Sequence, residues 1–267
     1  MQKRPIVRLT ESALMIAAAT ILSLIPIVKM PFGGSVTAFS MLPILLIAYR
    51  YGVLWGCFVG VAHGLIQLLL DLGTLQYATT IWAALAIVLL DYLVAFGVLG
   101  AGGLFRRRQN QAAGLTMGVL VACVLRYLCH VITGCTVWVG LSIPDSAALL
   151  YSLAYNAAYM LPETLITMVG AYYIARVLDF RRDRLTRVAV QHRGGLLEIV
   201  GSFALVGCIL ADALMLFFVI QTEEGFDITR ISGANWPVLA IVLVCGLAVF
   251  AALQLAVRRL RGRPQTA

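Results

Sequence analysis

TTIWAALAIVLLDYLVAFGVLGAGGL, residues 79–104, decides the fold. It carries one charge, Asp91, in twenty-six residues. As a helix rising 1.5 Å per residue such a run reaches about 39 Å, enough to cross a hydrocarbon core of roughly 30 Å, and it is too long for a strand. A membrane-spanning helix is the reading, and the same kind of run elsewhere in the chain excludes a barrel. Apolar blocks recur near residues 9–28, 37–49, 52–71, 114–139, 147–178, 196–220 and 236–257, which with 79–104 predicts eight helices. The second block is short and holds Pro43, which predicts a tilted or broken helix.

The whole composition agrees. Of 267 residues 61% are hydrophobic and 12% charged, where a soluble domain carries roughly a quarter charged. The expected class is an all-α integral membrane protein of the cell membrane, multi-pass. The net charge of +8 does not point to nucleic acid, because Lys and Arg lie in the connections between apolar blocks. Their role is topological. The N-terminus, Arg50, Arg106 to Arg108, the arginines from Arg176 to Arg193 and those from Arg258 to Arg263 fall on one side. The other side holds Lys29 and Arg230 against Asp71, Asp145, Glu223, Glu224 and Asp227. The basic side is cytoplasmic by the positive-inside rule, so both termini are expected there, with a retained first helix.

The basic run DFRRDRLTRVAVQHRGG, residues 179–195, marks a boundary. It predicts a six-helix module over 1–180, a basic cytoplasmic linker over 181–195 beside anionic headgroups, and a two-helix transmembrane segment over 196–267. The six cysteines fall in apolar blocks without metal spacing and read as small buried hydrophobes. No Walker loop occurs, so the chain is not the ATP-hydrolysing part of a pump. No catalytic triad, zinc-ligand spacing or acidic metal cage is present, and neither a cofactor, a metal nor an enzymatic activity is expected.

Charged groups at bilayer depth cost at least about 2.5–3.5 kcal/mol, so each implies a partner or a task. Asp91 lies mid-block, and Arg126 and His130 share one helix face at i, i+4. For Arg126 an interior tie to carbonyls or to a carboxylate such as Asp91 is the preferred reading. Trp138 lies two turns beyond His130. In YSLAYNAAYMLPE, Tyr151, Tyr155 and Tyr159 recur every fourth residue beside Asn156, and Tyr151 also fits an interfacial belt. Asp91, Tyr92, His130, Trp138, Tyr151 and Asn156 supply a carboxylate, aromatic faces and hydrogen-bonding groups, which suits a small cationic aromatic ligand.

GGSVTAFSMLPILLIAYRYG (33–52), LLDYLVAFGVLG (89–100), LRYLCHVITG (125–134) and YSLAYNAAYMLP (151–162) resemble the thiamine-specific substrate-binding (S) components of energy-coupling-factor transporters, the ThiT family. The likeness covers residues 5 to about 180. It implies a six-helix S-component bundle with a vitamin site near the outer face, covered by the loop between helices one and two. It also implies a membrane coupling protein and two ATPase subunits as partners, with thiamine as ligand. By the same likeness the substrate-binding residues are Asp91, Tyr92, His130, Trp138, Tyr151 and Asn156, and Ala13 and Ala17 face the coupling protein. Gly34 and His63 stand where some members have tryptophan, so stacking there is missing or supplied by Phe32 or His63. Asp91 stands where some have the longer Glu, and helices seven and eight have no counterpart. The alternative is a self-sufficient proton-coupled secondary transporter with Asp91, Arg126 and His130 as a relay. An intramembrane enzyme ranks last.

Overall fold

The computed structural model describes residues 5–30, 34–137, 148–188, 195–222 and 225–261. The chain divides into two compact units, Met1–Arg187 and Val188–Ala267. In the first unit the helices are α1 (Pro5–Ser23), α2 (Leu42–Tyr51), α3 (Val53–Leu70), α4 (Ile81–Gly103), α5 (Gln111–Thr136) and α6 (Ala148–Val177). An antiparallel hairpin, β1 (Pro26–Lys29) with β2 (Ser35–Thr37), joins α1 to α2, and β3 (Leu178–Asp179) with β4 (Thr186–Arg187) follows α6. The second unit holds α7 (Gly195–Ile220) and α8 (Trp236–Arg261), linked through β5 (Gln221–Thr222) and β6 (Gly225–Phe226). Cys208 lies against Gly246 and Leu253 against Gly201, an antiparallel pairing of the two helices.

Among the described residues α1, α3, α4, α5, α7 and α8 are each long and apolar enough to cross a membrane. The protein is the multi-pass, all-α membrane protein that the apolar blocks imply. Two boundaries differ from the sequence reading. The first helix stops at Ser23 rather than near 28, because Pro26 has no N–H to give and disfavours helical geometry at Ile25. The second starts at Leu42, so Pro43 opens it, in the first turn where a missing N–H costs nothing, instead of breaking it. At ten residues it spans about 15 Å, half the bilayer core. Every residue of α2 from Leu42 to Arg50 is buried, as befits a helix apolar on all sides, and the rest of the unit packs around it.

Two devices hold that bundle. Gly56, Gly60 and Gly64 form a stripe at every fourth residue of α3 that faces α4. A Cβ at Gly60 falls 2.2 Å from the Phe96 carbonyl oxygen, so the two backbones touch directly. At the far end from the β1–β2 hairpin, Arg50 donates through Nε and Nη2 to both carboxylate oxygens of Glu11, at 2.6 and 3.0 Å. Its remaining N–H groups reach the carbonyls of Phe180, Arg182 and Asp183, which joins α1, α2 and the segment after α6. The Arg50 side chain is 2% exposed, so beyond the topological role read from the sequence it is a buried tie. The cysteines are all free, and Cys245 departs from the expectation of burial by lying exposed.

Gly60→Ala is expected to lower stability by about 1–3 kcal/mol through overpacking against α4. Gly73→Ala, where an added Cβ meets nothing within 4 Å, serves as the neutral control. Thermal melts in detergent compare them, and equal melting temperatures contradict the close approach.

Candidate functional site

The site begins with a departure from α-helical geometry. α4 starts as an α-helix, widens into a π-helix over Ile87–Val94 and tightens to 3-10 over Val98–Gly103. π segments re-aim side chains and recur at functional sites. Asp91 and Tyr92 sit in this one, and both line a cavity of about 480 Å³ at the hairpin end of the first unit. α3 contributes His63 and Gln67 to its wall, α5 contributes Arg126, His130 and Gly134, and α6 contributes Tyr151, Tyr155, Asn156, Tyr159 and Glu163. Lys29, Met30, Gly34, Ser35 and Thr37 of the hairpin line its mouth.

At the centre His130 Nδ1 lies 2.9 Å from Asp91 Oδ1, and Arg126 Nε donates to His130 Nε2 at 3.3 Å. A ring nitrogen that accepts from a guanidinium carries no proton, so Nδ1 is the protonated nitrogen and donates to Asp91. Arg126 stands 4.3 Å above the Phe96 ring. The direct Asp91–Arg126 pair that the sequence suggests is therefore replaced by a chain in which His130 stands between the two charges. Arg126 is still an interior tie, but it also lines the cavity.

The tyrosines form a ladder along one face of α6. Tyr151 and Tyr155 stack with centroids 6.2 Å apart and planes 8° from parallel, and Tyr155 meets Tyr159 edge-on at 6.2 Å. Tyr159 also meets the His130 ring at 6.3 Å. Tyr151 is buried, so it is a wall residue and not the belt residue its sequence position allows. Asn156 uses its amide to tie α6 to α5: Nδ2 donates to the His130 carbonyl at 3.3 Å and the Ser152 carbonyl at 2.9 Å, and Oδ1 accepts from Tyr159. Tyr92 donates to Asp71 at 2.8 Å and so fixes the turn after α3 against α4.

Of the residues singled out from the sequence, Asp91, Tyr92, His130, Tyr151 and Asn156 all come together on this cavity. Trp138 lies outside the described residues, as does Phe32. Ala13 and Ala17 lie elsewhere, on the exposed face of α1. His63, also on the cavity wall, meets Phe96 edge-on at 5.0 Å. Sequence reasoning misses Thr37, Ser40 and Glu163. Glu163 is open to the argument that finds Asp91, an acidic residue within an apolar block, whereas nothing local marks the two hydroxyls.

Fold and cavity define a class: a membrane-embedded protein with an internal cavity walled by charged, polar and aromatic side chains. The profile of the family described as Thiamine transporter protein (Thia_YuaJ) matches residues 9–180, nearly the whole first unit. The protein named Thiamine transporter ThiT from Bacillus subtilis (strain 168) is 34% identical over 180 residues, covering 63% of this chain and 90% of that relative. The chain belongs to this thiamine transporter family, and it is a transport protein rather than an enzyme.

Asp91→Asn keeps an oxygen for the His130 N–H to reach, and Arg126 retains its partner. The ligand-free melting temperature is therefore expected to change little, by the equivalent of about 1 kcal/mol or less. A collapse in folding assigns Asp91 a purely structural role.

Proposed function

We propose that this chain is the thiamine-binding S component of an energy-coupling-factor importer. In this reading it captures the vitamin from outside and relies on a membrane coupling protein and two ATPase subunits for release inward. The observation that carries it is the carboxylate of Asp91, held by His130 within an aromatic-walled cavity, in the segment that matches the family. An aromatic face holds a desolvated cation by up to about 2 kcal/mol, and a buried carboxylate adds charge complementarity.

The roles follow from chemistry. Asp91 meets the positive charge or an amino donor, with His130 orienting it. Tyr92, Tyr151 and Trp138 give aromatic surface, and Asn156 sets the spacing of α5 and α6 and offers its amide. The exposed Ala13 and Ala17 on α1 form the face for the coupling protein, where small side chains allow close approach. Residues 1–180 are the binding module, 181–195 a cytoplasmic linker and 196–267 an added two-helix segment, with both termini cytoplasmic. The compact unit Met1–Arg187 and the end of the family match at residue 180 support that division.

One observation favours the alternative of a self-sufficient proton-coupled transporter: Asp91, His130 and Arg126 form a continuous hydrogen-bonded chain. The experiment separates the two. Calorimetry on the purified chain is expected to give a thiamine Kd well below micromolar, and Asp91→Asn is expected to weaken binding by about 2–5 kcal/mol, roughly thirtyfold to several thousandfold. Vesicles containing this chain alone should show no uptake driven by a proton gradient. Such uptake establishes the alternative, and micromolar or weaker binding removes thiamine as principal ligand.

A further inference from the structure

A two-stranded hairpin has little stability of its own, so the position of β1–β2 over the cavity depends on what it is fastened to. Two contacts fasten β2 and the turn before it to α6. Gly34, at φ +83°, packs so closely on Tyr159 that an added Cβ would lie 3.0 Å from its ring. One helical turn further along the same face of α6, the Thr37 hydroxyl meets Glu163 Oε1. Ser40 reaches that same oxygen at 3.0 Å and lies 2.6 Å from Thr37. Two hydroxyl protons serve three oxygen contacts here, and the carboxylate is the acceptor around which they are arranged. Among the described residues, Thr37 to Glu163 is the one side-chain hydrogen bond from the hairpin to the helices.

Glu163 is itself unusual. It is 3% exposed, it carries a carboxylate in a membrane helix, and it follows Pro162, which leaves the Ala158 carbonyl without its helical donor. No cation pairs with it among the described residues, and its second oxygen has no hydrogen-bond partner there, although the residue lines the cavity. A carboxylate so sparsely compensated is expensive in a bilayer, and packing α6 gives no reason for one.

We propose that Glu163 is the positioning residue that latches the hairpin shut, holding β2 through Thr37 and Ser40 and so setting how long a ligand stays in the cavity. It acts on residence through the hairpin, in contrast to Asp91, which meets the ligand. The latch exists in the empty protein, so only its kinetic consequence rests on the reading of the cavity as a thiamine site.

The test uses the full chain in nanodiscs and three variants: Glu163→Leu, Thr37→Val, which removes the hydroxyl while leaving every charge in place, and Glu163→Gln, which keeps an acceptor. Hydrogen exchange is read at the backbone amides of residues 35–37 without ligand, and thiamine dissociation by stopped-flow fluorescence. Glu163→Leu and Thr37→Val are expected to exchange faster in the hairpin and to release thiamine at least about tenfold faster, with association changed by less than about threefold. Glu163→Gln should fall between them and the parent. A merely structural residue would lower the melting temperature or the active fraction without this split of rates. Folded variants with parental hairpin exchange and parental dissociation overturn the proposal. A parent that fails to bind thiamine overturns the functional reading instead, and the exchange measurement still decides the latch.

Discussion

A charge left unpaired in hydrocarbon costs several kilocalories, and among the described residues Asp91, Arg126 and Arg50 are placed to avoid that, whereas Glu163 has only the hydroxyls of Thr37 and Ser40. Asp91 is met by His130, and Arg126 is spread between the histidine and the Phe96 face. Arg50 is met by Glu11 and three carbonyls. Asp91 and His130 come from α4 and α5, Arg126 reaches from α5 to Phe96 of α4, and the partners of Arg50 lie on α1 and after α6, so satisfying these charges also fixes the helices. The Arg50 cluster closes one end of the bundle, and the Asp91–His130–Arg126 chain organises the other, where the cavity lies.

The two ends differ in how tightly they are built. At the Arg50 end a bidentate ion pair and carbonyl contacts leave no donor of the guanidinium idle. Between the ends, the α3 glycine stripe lets α4 approach to backbone contact, and α4 can then spend its π turns on aiming Asp91 and Tyr92 inward. At the cavity end the cover is a short hairpin with, among the described residues, one side-chain hydrogen bond to the helices. A rigid frame with a lightly fastened cover suits a protein that must hold a small molecule and then let it go.

Much of this is legible in the sequence, because the bilayer imposes a length on every crossing and a cost on every charge. Among the described residues, blocks of about twenty or more apolar residues mark every long helix and a shorter block marks α2, and the cost of burying charge singles out Asp91, Arg126 and His130 from residue type and position alone. Pairing at a distance is what the sequence hides. Asp91 and His130 are 39 residues apart, and Thr37 and Glu163 are 126 apart, so no local pattern announces either contact. Arg50 reads only as a marker of the basic side for the same reason, since its partners lie on α1 and beyond α6. Pro43 is ambiguous because a proline signals an interruption or a start equally well, and only the chain before it decides.

The central claim is that the cavity recognises positive charge through Asp91. A thermodynamic cycle tests it most directly: calorimetric affinities of thiamine and of an uncharged isostere, in which carbon replaces the quaternary ring nitrogen, for the parent and for Asp91→Asn. The account predicts that the substitution weakens thiamine more than the isostere, with a coupling of at least about 1.5 kcal/mol. Losses that are equal for the two ligands, additive within about 0.5 kcal/mol, would contradict it.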